Sequence, residues 1–445
     1  MTLRRLAKLV PPLSASQLGL FRIAFGAALL LVFIDEAVFL REPLPRELHR
    51  SYSPLAGIAW VHWMAASGPA LSAAAILVYL ALAAFIAGVW TRVAYLVVTL
   101  GVLTHALVVL QSSGVHNLGM LAVTMLGLLV VPWGDGLSLD TRLARSTRRT
   151  DRSPHEYGFA IWLPGLTLGV GFLAAAVAKL TFGGLAWVTE GAVKYHFVED
   201  AANAPTSLGL WVASHQAAAV AMSMGAVALE ALFVLNVLKP SPAWRAAFGL
   251  GGVLLLLGFY LFHGVFWPGW WLLLLVFLPW HLWNRPLTQV PDRTPALPWP
   301  YGAVVLVLLA AQLYASVTRT EVEPLLTWFP MYAHTWRSTE AFDAAREERL
   351  SRFSIRAGDV DITEWVEQVG GWDALVAAAT LQHDELSESQ LSSLRFLRTR
   401  HEAEFGGTSS EVEIRRNREA FDWTSGRFVQ VEHNALFAVV DLGDY

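Results

Sequence analysis

Apolar runs separated by short polar segments fill the first 317 residues of the chain. A helix needs about 20 apolar residues to cross the hydrocarbon core of a bilayer. The run Phe248–Trp280 is too long for one crossing, and Pro268-Gly269 divides it into a helical hairpin. The predicted spans are residues 18–34, 69–90, 92–112, 117–133, 158–180, 215–238, 246–266, 269–284 and 300–317. The pattern predicts an all-α polytopic membrane bundle of about 8–9 transmembrane helices, nine with the hairpin and eight without it.

The basic residues of the short loops predict the orientation of this bundle. If the N-terminus is cytoplasmic, the inner segments hold 13 Lys and Arg residues and the outer loops hold four. An excess of basic residues marks the cytoplasmic side. We therefore expect a multi-pass integral membrane protein with a cytoplasmic N-terminus. Nine spans place the C-terminal part outside the cytoplasm, and eight spans place it inside.

The last third of the chain has a different pattern. Residues 318–445 hold 13 Arg, no Lys and 23 acidic residues, a formal charge of −10, whereas the first 317 residues carry +6. Helical periodicity and strand-like alternation predict a small α+β soluble domain after the bundle. The predicted helices are 374–381 and 389–405, and the predicted strands are 353–355, 411–415, 428–431 and 436–440. We therefore divide the chain into a transmembrane domain, 1–317, and an acidic extramembrane domain, 318–445. The acidic surface is either solvated or a docking surface for a partner.

Composition narrows the functional classes. Hydrophobic residues make up 55% of the chain and charged residues 15%, against about 25% charged residues in soluble domains. This excludes a nucleic-acid partner and an ordinary cytosolic enzyme, and it makes membrane lipid the first expected partner. The chain has no Cys, so disulfides, thiol catalysis and iron–sulfur clusters are excluded. No His or acidic spacing fits a metal motif, and we predict no metal site.

Lys179 is the most informative ionisable residue in the apolar part. Gly171, Ala175 and Lys179 are spaced by four residues, so they share one helix face, with further Ala residues beside it. Faces of small residues pack closely against other helices in lipid. Lys179 is therefore predicted to point into the bundle, where a desolvated lysine can act as a base and an arginine cannot. The alternative is a lysine that reaches the headgroups from a helix end.

Four other polar residues lie in or beside predicted spans. His116 and Asn117 open the fourth span, either as a polar helix start or as part of a site. His263 lies within the longest apolar run, where it makes a buried hydrogen bond or belongs to a site. Arg22 lies near the start of the first span, where snorkelling or an ion pair with a carboxylate explains it at least as well as a catalytic role does.

The order of four sequence features resembles the vitamin K-dependent γ-carboxylase-like family, also called the horizontally transferred transmembrane (HTTM) domain family. The first is Leu18-Gly19-Leu20-Phe21-Arg22 followed by Ile23-Ala24-Phe25-Gly26. The second is the His116-Asn117 start, an apolar span and Trp133-Gly134-Asp135-Gly136-Leu137-Ser138-Leu139-Asp140. The third is Ala178-Lys179-Leu180 followed by Trp187-Val188-Thr189-Glu190-Gly191. The fourth is His263, before a span that ends in Leu278-Pro279-Trp280. Together they cover roughly residues 15–285.

The resemblance implies a membrane enzyme whose cofactor is a reduced naphthoquinone of the vitamin K or menaquinol type, with O2 and CO2 as co-substrates. In this family a buried lysine deprotonates the quinol. Reaction with oxygen then yields a base strong enough to remove a γ-hydrogen from a protein glutamate, to which CO2 adds. By this resemblance Lys179 is catalytic. The family's membrane histidine matches either His116 or Asn117, and we assign it to His116, because only a histidine can titrate near neutral pH. His263, Asn117 and Arg22 are then expected to bind substrate. A protein or peptide outside the cytoplasm is the implied partner.

Two departures and two other functional classes qualify this hypothesis. The segment 181–186 is longer than in the carboxylases, and the C-terminal domain is much shorter than the lumenal part that holds their peptide substrates. The alternative function is a non-catalytic membrane scaffold or lipid-binding protein that docks a partner through its acidic domain. A transporter is less favoured, because we find no inverted repeat. An apolar pocket shared by Lys179 and His116 would favour the enzyme.

Overall fold

The computed structural model describes residues 3–46, 49, 52–112, 118–143, 152–282, 297–327, 332–346, 351–368, 372–381, 385–405 and 410–445. Most of them are helical, and seven helices among them are long and apolar enough to cross a membrane. These seven are α2 Ala15–Asp35, α4 Gly68–Ala87, α5 Thr91–Val109, α8 Pro154–Phe182, α12 Gln216–Phe233 (with a 3-10 turn to Val237), α13 Pro242–His263 and α15 Trp299–Thr318. The chain is built as a multi-pass membrane protein.

Seven of the nine predicted spans coincide with these long helices. The other two, 117–133 and 269–284, contain shorter apolar helices. The first is α6, Gly119–Gly127, and the second is α14, Pro268–Leu273. Each passes into a 3-10 turn and ends within two residues of a proline, Pro132 or Pro279.

Short helices connect or flank the long ones. Two of the long helices begin with a capping box, which is formed by Ser14 and Gln17 in α2 and by Ser153 and Glu156 in α8. The short helices of the membrane domain are α1 Leu3–Leu9, α3 Ala59–Ala66, α7 Leu139–Leu143, α9 Ala186–Thr189, α10 Val193–Glu199 and α11 Leu208–Ala213.

The N-terminus and the C-terminal domain lie at opposite ends of the bundle. The backbone N–H of Leu13 donates to the Pro154 carbonyl at 3.0 Å, so α2 and α8 begin side by side. The Arg319 guanidinium, just after α15, lies 4.6 Å from the Phe182 ring centroid at the end of α8. Helices α2, α8 and α15 therefore run in the same direction.

Arg22 organises the end of the bundle where α2 begins. Its guanidinium is fully buried and donates to the carbonyls of Trp133, Gly136 and Leu137 at 2.8 to 3.1 Å. Asp140 then accepts from the hydroxyl and backbone N–H of Thr91 and caps the start of α5. The first two features of the family resemblance therefore contact each other at this end.

The close approach of residue 136 to α2 predicts a stability effect. A Cβ on Gly136 would lie 1.7 Å from the Ala15 carbonyl oxygen, so backbone must move. We expect Gly136→Ala to destabilise the protein by about 1–3 kcal/mol or more, as overpacking does. Thermal unfolding in detergent measures this. The control is Gly57→Ala, whose Cβ would meet no atom closer than 3.5 Å. Equal unfolding temperatures for the two variants would contradict the prediction.

The C-terminal domain is α+β. Its strands are β1 Ser351–Ala357, β2 Val360–Asp361, β3 Glu411–Asp422 and β4 Arg427–Asp441. They form an antiparallel sheet with the order β2-β1-β3-β4, and the core of the domain contains Ile355, Leu394, Leu397, Val412 and Ile414. The helices are α16 Thr339–Arg346, α17 Thr363–Gln368, α18 Trp372–Thr380 and α19 Glu388–Phe405.

The two predicted strands 428–431 and 436–440 are one strand, β4. Register shifts against β3 interrupt the alternation between them, and Asn434 adopts a positive φ of 51° there. An irregularity of this kind displaces the inward and outward positions without ending the strand. The alternation of inward and outward side chains is therefore interrupted in the sequence, although the strand itself is continuous.

The tip of the β3–β4 hairpin packs on the membrane domain. Trp423 lies 5.7 Å from Tyr195 of α10 and 5.5 Å from Phe342, measured between ring centroids. Burial and the nearby acidic residues Glu190, Glu340 and Asp343 raise the pKa of Tyr195 to about 12. This aromatic cluster fixes α10, whose other side chains reach the cavity described next.

Candidate functional site

A cavity of about 300 Å³ lies at the end of the bundle that faces the C-terminal domain. Its wall is predominantly apolar, and its polar side chains come from five separate parts of the chain. The residues that line it are Lys179, Trp187, Val193, His196, Phe197, Met222, Gly225, Ala226, Leu229, Glu230, Leu254, Leu255, Gly258, Phe259, Phe262, His263 and Tyr332. An apolar cavity with a few convergent polar groups is the usual form of a small-molecule site.

Lys179 and Glu230 form an ion pair in the cavity wall. The lysine Nζ lies 2.9 and 3.0 Å from the two carboxylate oxygens, and the residues are only 3% and 2% exposed. Lys179 therefore points into the bundle, as its small-residue face predicts, and does not reach toward headgroups. The Nζ also lies 5.5 Å from the centroid of the Trp187 ring. The pair places a proton donor and a proton acceptor side by side in an apolar surrounding.

The pair forms because α8 and α12 approach closely. A Cβ on Gly169 of α8 would lie 2.7 Å from the Val234 Cα, just after α12. Small residues in α8 thus bring the two backbones together. Residues 222, 226, 229 and 230 of α12 fall on the face of that helix that lines the cavity. Glu230 therefore meets Lys179 across 51 residues of sequence.

His263 and Asp200 form the second polar pair. The His263 Nδ1 lies 2.7 Å from the Asp200 Oδ2, and His263 is 6% exposed. Tyr332 also hydrogen-bonds to the Asp200 side chain, and its ring centroid lies 4.4 Å from that of His263. With its Nδ1 proton donated to the carboxylate, His263 keeps Nε2 as an acceptor. Within the described part of the chain this Nε2 has no hydrogen-bond partner, and His263 lines the cavity.

A glycine positions His263 at the end of α13. Gly264 ends that helix with a φ of 69°, a conformation that favours glycine. A Cβ at this position would lie 2.0 Å from the Asn203 carbonyl oxygen. The close approach packs the end of α13 against the turn after Asp200, and this sets the His263–Asp200 distance.

Residues 332–334, which follow α15 in the chain, cover the cavity. The Trp187 Nε1 donates to the Tyr332 carbonyl at 2.8 Å, and the His196 Nε2 donates to the His334 carbonyl at 3.0 Å. Burial, and next the Asp200 carboxylate, raise the pKa of Tyr332 above its usual value. The phenol is therefore protonated at neutral pH and donates to Asp200.

The cavity carries no excess charge. The Lys179 ammonium is balanced by the Glu230 carboxylate. The remaining titratable lining residues are His196, His263 and Tyr332. With neutral histidines the wall sums to zero, so it favours an uncharged ligand with hydrogen-bonding groups over an anion.

The structure brings together two of the five predicted site residues. Lys179 and His263 line the same cavity. Arg22 lies at the opposite end of the bundle, where it binds backbone carbonyls and does not line the cavity. His116 and Asn117 lie outside the described residues. Among the described residues, no group of three His, Asp or Glu side chains is placed to hold a metal ion.

Sequence analysis missed Glu230, Asp200, His196 and Tyr332. The signal for Glu230 was present, because it is the only acidic residue within the predicted span 215–238. His196 lies in the short helix α10 and Asp200 directly follows that helix, between two predicted spans, and Tyr332 lies beyond the last span. No local pattern links those three to the membrane part.

Comparison with known proteins identifies no relative. No family model, curated protein or solved structure matches the chain. The resemblance to the γ-carboxylase-like family therefore rests on the four sequence features alone.

Proposed function

We propose that the chain is an integral membrane enzyme that binds a reduced quinone in the cavity and uses Lys179 to take a proton from it. The observation that carries this proposal is that Lys179 is buried against an apolar cavity and paired with Glu230. A lysine with a purely interfacial role would extend to the headgroups instead. The four sequence features support membership of the γ-carboxylase-like family.

The residues of the cavity fit a reduced naphthoquinone. Aromatic side chains, among them Trp187, Phe197 and Phe259, provide flat apolar walls for a ring system. Lys179 and His263 supply polar atoms for its hydroxyl oxygens. With O2, such a quinol would supply the strong base that the resemblance implies.

The roles of the protein groups follow from their pairing. An internal proton transfer from Lys179 to Glu230 yields a neutral amine and a neutral carboxylic acid, with no change in total charge. An apolar surrounding favours this form of the pair relative to water. The amine then accepts the proton of a substrate hydroxyl. His263, held by Asp200, binds a second oxygen through Nε2 and orients the ring.

The carboxylation step and the side of the membrane on which it takes place are also part of the proposed function. We infer that CO2 and a glutamate of a protein or peptide substrate take part outside the cytoplasm. The opposite ends of the N-terminus and the C-terminal domain support this, together with the basic residues of the predicted inner segments.

Quinol turnover tests the proposal directly. We expect the purified protein in lipid nanodiscs to convert a naphthoquinol and O2 to the quinone epoxide, detected by chromatography and mass spectrometry. Protein-free nanodiscs and a benzoquinol are the controls. Folded protein that forms no epoxide from several naphthoquinols would overturn the enzyme proposal. Saturable quinone binding without turnover would favour a lipid-binding protein instead.

A further inference from the structure

We propose that the substrate reaches the cavity from within the bilayer, between α12 and α13, and that its apolar chain stays in this opening. The head group then lies beside Lys179 and His263. This inference rests on the proposed function for the chemistry at the head group, but the opening itself is a separate feature of the fold.

The opening is formed by two glycines that line the cavity. A Cβ on Gly225 of α12 would meet no atom within 4 Å, and one on Gly258 of α13 would meet only the Phe262 Cδ2 at 3.9 Å. Glycines at helix contacts normally allow another backbone or side chain to come close. These two instead border empty space. Leu254 lines the same cavity and is 58% exposed, so the cavity wall continues to the outer surface.

The outer surface around this opening is apolar. Met224 and Leu232 of α12 and Leu250 and Leu257 of α13 are exposed there. Both helices belong to the membrane-spanning set, and less than a third of the apolar window of each is buried in the protein. Their exposed faces therefore contact lipid chains, and the opening leads into the hydrocarbon layer rather than into water.

Size and charge identify the class of occupant. The cavity volume of about 300 Å³ is at the lower end of the range for small-molecule sites, about 300–1,000 Å³. It holds a head group but not a long chain. Lys179 is neutralised by Glu230, so no free cation is present for a phosphate. The geometry points to an uncharged lipid with hydroxyl or carbonyl groups on its head and one apolar chain.

His263 gives an independent sign that a ligand occupies the inner end. Its side chain is more than nine-tenths buried, its Nδ1 is held by Asp200, and its Nε2 lacks a partner in the described part of the chain. His263 lines the cavity, so its free acceptor is available to a bound head group. A hydroxyl of the head group could donate a hydrogen bond to it.

Photo-crosslinking separates the opening from the chemistry. The probe is a naphthoquinone with an isoprenoid-length chain that carries a diazirine, added to the full-length protein in nanodiscs. We expect crosslinks on residues 222–229 and 254–258, mapped by mass spectrometry. Gly225→Leu/Gly258→Leu should lose this labelling and fold normally, because space is free at both Cβ positions. The matched control is Ala228→Leu, exposed on α12 but outside the cavity wall.

Crosslinks confined to other helices, or equal labelling of the blocked variant, would overturn the inference. Labelling at the opening with no epoxide formation would support the opening while contradicting the quinol chemistry. Unchanged epoxide formation from the long-chain quinol in the blocked variant would contradict the opening and leave the proposed function standing.

Discussion

Replacing Lys179 by Arg should lower quinol turnover by orders of magnitude while leaving the protein folded. Arginine keeps the positive charge that Glu230 needs, and its guanidinium can bind both carboxylate oxygens. It does not release a proton at any physiological pH, so it cannot serve as the base. We expect a loss of about 10²–10⁴-fold in epoxide formation, the range for a general base. Lys239→Arg is the control, because Lys239 is exposed and lies outside the cavity.

The thermal stability of variants in the ion pair measures how much the Lys179–Glu230 contact contributes to folding. Lys179→Met leaves the Glu230 carboxylate buried without its cation, and Glu230→Gln leaves the ammonium without its anion. Breaking a buried pair in this way costs about 3–5 kcal/mol, whereas replacing both partners is often neutral. Thermal unfolding in detergent should therefore rank Lys179→Met/Glu230→Gln above either single variant. Full turnover by a folded Lys179→Arg protein would exclude lysine as the base.

The membrane architecture is largely encoded in local sequence. Length and hydropathy locate seven long helices, because each crossing must satisfy its backbone hydrogen bonds within one segment. Length and hydropathy do not predict that α6 and α14 are shorter than the apolar segments that contain them. Both segments remain apolar beyond the helix. Their helices end at 3-10 turns near prolines, which hydropathy does not register.

Local sequence predicts the burial of Lys179 in the candidate site but not the partners of its polar groups. Small residues at intervals of four predict that Lys179 is buried, since they determine which face of α8 packs inward. Its partner could not be assigned, because 51 residues separate Lys179 from Glu230 and 63 separate Asp200 from His263. Tertiary packing determines these pairs. Arg22 was predicted as a site residue because it is charged and lies in a span, but it donates to backbone carbonyls far from the cavity.

The second large effect is expected from Asp200→Asn. The carboxylate accepts hydrogen bonds from His263 and from Tyr332, whose raised pKa keeps its phenol protonated. An asparagine side chain can present its NH2 group to the Nδ1 instead, which moves the imidazole proton to Nε2. The atom that faces the cavity then changes from an acceptor to a donor. A wrong histidine tautomer lowers kcat by up to about 10⁴-fold in other enzymes.

We therefore expect Asp200→Asn to lower kcat for the quinol by about 10²-fold or more, and also to raise KM, because Nε2 no longer accepts a hydrogen bond from the substrate. Glu199→Gln is the matched control, since this neighbouring carboxylate lies 3.8 Å from the His196 Nδ1, whereas Asp200 is the carboxylate that lies 2.7 Å from the His263 Nδ1. Asp200→Glu should restore part of the rate by restoring the acceptor. Steady-state kinetics in nanodiscs measure all three. An increase in KM with kcat unchanged would instead assign Asp200 to the shape of the cavity, and equal rates for Asp200→Asn and Glu199→Gln would remove His263 from the reaction.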